Sequence, residues 1–149
     1  MLKLLATLTL IAALGALPAM AQSDAEVDAA IETNLGDPAA YHAAFDAIQQ
    51  AVVDEHREAF AAWVAYPINV TADGEAMVIA DEEQFVEHYD GVMTDEIRDA
   101  ITGQQWQDLF VNYKGIMLGD GQVWLNGICK DDACASFEVK IIAIQSTVS

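Results

Sequence analysis

One stretch, residues 112–126, reads NYKGIMLGDGQVWLN and constrains the fold more than any other. Two apolar-rich runs flank Gly119-Asp120-Gly121, and Asp-Gly supplies the two positive φ values that a type I′ hairpin turn needs. With Asp120-Gly121 as a two-residue loop, Leu118 and Ile116 lie opposite Val123 and Leu125 on one face. Met117, Gly115 and Tyr113 then face Trp124, Asn126 and Ile128 on the other. Both faces carry apolar side chains, so the hairpin predicts cover on each side, from helices or from a partner.

The chain begins MLKLLATLTLIAALGALPAMA. Lys3 makes a short basic n-region, residues 4–14 form an apolar core, and Ala19-Met20-Ala21 has the small residues of a cleavage site. The run is short for a membrane span and ends at Pro18 without a stop-transfer pattern. Residues 1–21 are therefore expected to be a cleaved signal peptide and residues 22–149 a single domain. The expected location is periplasmic or secreted, with no membrane span after cleavage.

Acidic residues number 24 and basic ones 6. The leader holds only Lys3 of these, so residues 22–149 carry 5 basic and 24 acidic side chains, a net −19. A field of that sign repels nucleic acid and anionic membranes and excludes both as partners. It leaves two readings open, solubility in a salty medium or capture of a basic protein.

Cys129 and Cys134 are the chain's two cysteines. In an exported protein they read as a structural disulfide across a turn. Two thiols without clustered histidines are too few ligands for zinc, and redox pairs favour the spacing CxxC.

Ser23 and Glu26 form an S-x-x-E capping box ahead of Val27 and Ile31, and Gly36 ends that helix. Asp37-Pro38 opens a second, long helix in which Tyr41, Phe45, Ile48, Val52, Ala59 and Trp63 keep a helical period up to Tyr66-Pro67. Ile68 and Val70, then Met77 and Ile79, read as two short strands around Asp73-Gly74. Asp81 caps a helix with Phe85, Tyr89 and Val92 on its buried stripe, and Thr94 caps another that Gly103 closes. Trp106, the central hairpin and a final strand over residues 136–145 follow. Helices precede and interrupt an antiparallel sheet, so the class is α+β.

This succession resembles the cone-shaped, cystatin-like folds of the nuclear transport factor 2-like superfamily. The segments that carry the resemblance are WVAYPINV at 63–70, DEEQFVEHYDGVM at 81–93, NYKGIMLGDGQVWLN and VKIIAIQ at 139–145. The resemblance implies N-terminal helices packed in a curved antiparallel sheet, a cone mouth that holds a small ligand, and a homodimer formed through the open sheet. It also implies isomerase- or cyclase-like chemistry as one alternative.

Such chemistry needs a carboxylate base and a donor in an apolar pocket. Asp90 or Asp108 with Tyr66, Tyr89 or Tyr113 are the residues available, and no motif of the superfamily's isomerases maps onto them. His42, His56 and His88 lack the spacing of a helical zinc site, and GxSxG, phosphate-loop and EF-hand patterns are absent. No catalytic residue, metal or cofactor is assigned. A non-catalytic binding protein with a small apolar cavity is the main expectation, lined by Tyr66, Tyr89, Trp106, Tyr113, Trp124 and Asn126. Trp106, Tyr113 and Trp124 are expected to converge on the sheet face beneath the helices. An acidic inhibitor of a basic protein is the alternative, marked by steep salt dependence.

Overall fold

The structure, a computed structural model, describes residues 22–146, and the expected signal peptide lies outside them. Helix α1 (Asp24–Asn34) starts with the full capping box: the Ser23 hydroxyl accepts from the Glu26 amide while Glu26 accepts from the Ser23 amide. That second contact holds the Glu26 carboxyl below the usual carboxylate range. Helix α2 (Pro38–Val53) starts as read, with Asp37 as cap and Pro38 in the first turn.

The long helix expected up to Trp63 is instead broken in two. After α2 the chain turns at Glu55, which has φ +53°, and a separate short helix, α3 (Arg57–Ala61), follows. The His56 amide donates to Ala51 C=O and the Glu55 amide to Val52 C=O. These are the two bonds of a Schellman C-cap, with Glu where glycine is usual. The break lets Phe60 of α3 reach Phe85 and Tyr89, at ring-centroid distances of 5.8 and 5.9 Å.

Strands β1 (Ile68–Ala72) and β2 (Glu75–Ile79) form a hairpin around Asp73 and Gly74, both at positive φ. Helices α4 (Glu82–Val92) and α5 (Asp95–Thr102) follow, capped by Asp81 and Thr94 and burying the stripes expected of them. A 3-10 turn at Trp106–Asp108 then leads to β3 (Phe110–Asn112), β4 (Gly115–Leu118), β5 (Val123–Cys129) and β6 (Phe137–Ile144). Four antiparallel strands, in the order β3-β4-β5-β6, stand where three long ones were expected.

The central hairpin keeps the expected register, Leu118 opposite Val123 and Ile116 opposite Leu125. Its turn differs: Gly119 and Gly121 have positive φ and Asp120 does not, so Asp120-Gly121 is not a type I′ loop. Gln104 accepts from the Gly119 amide and Gln122 from that of Asp120, so side chains from both sides hold the turn. Tyr113 is not in a strand either. It sits with Lys114 in the β3–β4 turn, where Asn112 Oδ1 accepts from the Lys114 amide.

The inner face of the sheet carries Ile116, Leu118, Val123, Leu125 and Ile141, each 0% exposed, under α2 and its neighbours. The β5–β6 hairpin ends in the loop closed by Cys129–Cys134. Within it the Asp131 carboxylate accepts from the Ala135 and Ser136 amides, which hold its pKa below the usual range. Closing so short a loop restricts the unfolded chain, and the double variant C129S/C134S should lower stability by about 2 kcal/mol. Denaturant melts of the variant, and of the unmodified chain with and without reductant, check that value.

Candidate functional site

The six expected site residues fall in separate parts of the molecule. Tyr66 and Tyr89 belong to the cluster around Phe60 and Phe85. The Tyr66 hydroxyl donates to Ala61 C=O at 2.8 Å. Burial pushes its pKa up, and Glu82 and Asp81 add to the effect. Tyr89 lies beneath both arginines of the chain, Arg57 at 5.2 Å and Arg98 at 5.6 Å from its ring centre. Burial raises its pKa, against the pull of Arg98 and Arg57.

Trp106 is buried beside α1 and α2. Its indole N–H donates to Asp28 Oδ1 at 3.0 Å, and the same oxygen lies 2.9 Å from His42 Nε2. The imidazole stacks on the indole at 3.5 Å between centroids. A carboxylate that orients an imidazole is half of a nucleophile-activating arrangement. Among the described residues no hydroxyl or thiol bonds to His42, and the trio joins α1, α2 and the 3-10 turn.

Tyr113 is 73% exposed, with Lys114 Nζ 5.8 Å from its ring centre. Asn126 accepts from the buried Tyr41 hydroxyl and donates to Lys114 C=O. The Tyr41 hydroxyl in turn accepts from the Gly127 amide, and burial raises its pKa. The expected convergence of Trp106, Tyr113 and Trp124 under the helices is thus corrected: inner-face side chains fill that space. Neither candidate base is buried with a tyrosine hydroxyl. Asp108 is exposed, and Asp90 is held by Arg57 at 2.8 Å with Arg98 at 3.6 Å.

Trp124 points to the opposite, outer face. Register places Phe110 opposite Met117, Met117 opposite Trp124, and Trp124 opposite Ala143. These four residues form one apolar row across all four strands. Phe110 is 51% exposed and sits edge-on to Trp124 at 6.3 Å; the other three are half-buried. No carboxylate stands in the row, although the chain has 24 acidic residues.

Open recesses also mark the surface. An open groove of about 460 Å³ between α3 and α4 is lined by Glu58, Glu82, Glu83, Val86 and Glu87. Another, of about 450 Å³, lies between β1 and β6, and a more enclosed notch of about 240 Å³ adjoins it. Among the described residues no group of three or more His, Cys, Asp and Glu side chains could hold a metal ion, and no helix is long and apolar enough to cross a membrane.

No protein-family model, no curated protein and no solved structure matches the chain.

Proposed function

We propose that the chain is an exported, non-catalytic binding protein that works through the outer face of its four-stranded sheet, with a second copy of itself as the first occupant. The observation that carries this reading is the row Phe110–Met117–Trp124–Ala143, apolar and free of carboxylates on an otherwise strongly acidic molecule. Depletion of charge with enrichment of aromatic residues and methionine is what distinguishes the centre of a protein interface. The leader-like N-terminus and the disulfide support a periplasmic or secreted location. The nuclear transport factor 2-like reading draws support from β1 lying beside β6, so that the two-stranded sheet flanks the four-stranded one.

Sedimentation of the leader-free chain should give a dimer that persists or tightens as salt rises, because screening weakens the repulsion between two acidic protomers while apolar burial remains. Trp124→Ser should raise the dissociation constant by about 30-fold, the effect of an interface hot spot. Its secondary structure should be unchanged, since the row lies outside the core. A wild-type chain that stays monomeric at high concentration would end this reading.

A second reading rests on the α3–α4 groove, whose four glutamates suit the side chains of a basic protein. Association of that kind weakens as salt rises, the opposite trend.

A further inference from the structure

Gly91 lies in the last turn of α4, although glycine is a weak helix former. A Cβ there would stand 2.7 Å from Asp73 Oδ2 and 3.0 Å from Oδ1, so the Asp73 carboxylate takes the place of a side chain. The Asp73 amide donates to Gly91 C=O at 3.2 Å, which holds the β1–β2 turn against the end of the helix. Among the described residues no hydrogen bond or ion pair engages that carboxylate. Arg98 of α5 is used elsewhere: it donates to Met93 C=O at 2.8 Å and lies over Tyr89 near Asp90.

Gly91 and Gly74, the neighbour of Asp73, both line the notch of about 240 Å³. Thr71, Thr94, Gln145 and Ser146 bring polar groups to it, while Val92, Ile97 and Ile144, all buried, give it an apolar floor. A second carboxylate stands by Ser146, because Glu96 accepts from the Ser146 hydroxyl and from Gln122 Nε2. Helix α5 starts at the same notch, and Asp95 and Glu96 in its first turn offset its positive end. Among the described residues no lysine or arginine lines the notch. A mostly apolar recess with a few polar groups is the usual form of a small-ligand site, and drug-sized ligands occupy roughly 300–1,000 Å³. The occupant here is smaller than that.

We propose that the notch binds a small organic cation, an apolar body carrying one ammonium group. The body lies on the floor of Val92, Ile97 and Ile144, and the ammonium stands at the lip beside Asp73. Charge complementarity selects the ammonium: two carboxylates flank the lip, and the field of a strongly acidic chain concentrates cations. The floor selects the apolar body. In the groove between α3 and α4 the lining is four glutamates and Val86, which suits any cation. In the notch, burial of the ligand's apolar part adds a contribution that a bare ion lacks.

The test is amide NMR of the leader-free chain at pH 7 with 2-phenylethylamine, protonated there, beside its neutral counterpart 2-phenylethanol. Expected are saturable shifts at Thr71, Gly74, Gly91 and Thr94, with the amine bound about tenfold more tightly than the alcohol. High salt should narrow that difference and leave the alcohol's affinity unchanged. Asp73→Asn keeps the shape of the side chain, and asparagine is well suited to the positive φ at this turn position. It should weaken the amine about fivefold, the weight of one partly screened charge contact, and leave the alcohol as it was. Absence of saturable shifts at millimolar amine, shifts confined to the α3–α4 groove, or equal affinity for amine and alcohol would each overturn the proposal. So would a D73N chain that binds both probes as wild type does, or both more weakly by the same factor. The notch shares no residue with the outer row, and sedimentation reads that row on its own.

Discussion

Gly115→Ala should destabilise the chain by about 2–6 kcal/mol, the sum of backbone strain and overpacking at one residue. Gly115 has φ +134°, a conformation that L side chains rarely adopt. An added Cβ would also run into the Leu125 carbonyl oxygen, with the Leu125 carbonyl carbon at 3.0 Å and Asn126 Cβ at 3.4 Å. That obstacle is backbone held in the β5 ladder, so it cannot move aside as a flexible side chain would. Ordinary domains have only about 5–15 kcal/mol in total, so the variant is expected to lie near the unfolding threshold. Gly74→Ala is the control. Gly74 also has positive φ, +81°, yet no neighbouring atom lies within 4 Å of the point a methyl group there would occupy. It should cost only the left-handed penalty of about 1–2 kcal/mol. Urea midpoints of the two variants isolate the collision, and equal losses would show that Gly115 is there for its φ alone.

The same residue shows how far the sequence could be read. Hairpin register was legible because alternation of apolar residues around Gly119-Asp120-Gly121 admits one pairing that buries Ile116, Leu118, Val123 and Leu125 together. Caps at Ser23, Asp37, Asp81 and Thr94 were legible because each is a short polar side chain before an apolar stripe. Asn112 and Gly115 carried the signal for the β3–β4 turn, an Asx side chain followed by a glycine at positive φ, but the apolar runs on either side masked it. The break at Glu55 had no such signal, because a Schellman cap with Glu in the glycine position looks like continuing helix.

Sites were less legible than elements, for a physical reason. Asp28 and Trp106 are 78 residues apart, and only the packing of α1 against the 3-10 turn makes them partners. Arg57 of α3 and Arg98 of α5 both lie over Tyr89, and periodicity missed the turn at Glu55 that makes α3 a separate helix. The outer apolar row needed both β3 as a separate strand and the β6 bulge, neither of which alternation alone displays. Apolar residues on two faces of the hairpin were visible from the start. Which face the helices would take, and that Trp124 would be on the other, depended on tertiary packing.

High pH should unfold this protein steeply, and the buried tyrosines are the cause. Tyr41, Tyr66 and Tyr89 all have pKa values raised above the ordinary value near 10, in each case chiefly by burial. A raised pKa in the folded state means that folding disfavours ionisation. The corresponding stability is fully present below pH 10 and is lost as pH climbs from there toward the folded-state values. Tyr41 and Tyr89 are 0% and 2% exposed. For each of them the unfolded state gains about 1.4 kcal/mol per pH unit above 10, until the folded tyrosine ionises as well. Tyr66 is half-buried and acts in the same direction, and its donation to Ala61 C=O is lost with its proton. Urea midpoints measured from pH 8 to pH 11.5 should therefore be level at first and then fall with increasing slope. The transition should reverse on return to pH 8. Tyr66→Phe, which keeps the ring against Phe85 and removes the titrating group, should flatten the alkaline limb relative to wild type. A wild-type midpoint that does not change through pH 11 would mean that these hydroxyls reach solvent in the folded protein, and the packing of α2, α3 and α4 around them would have to be redrawn.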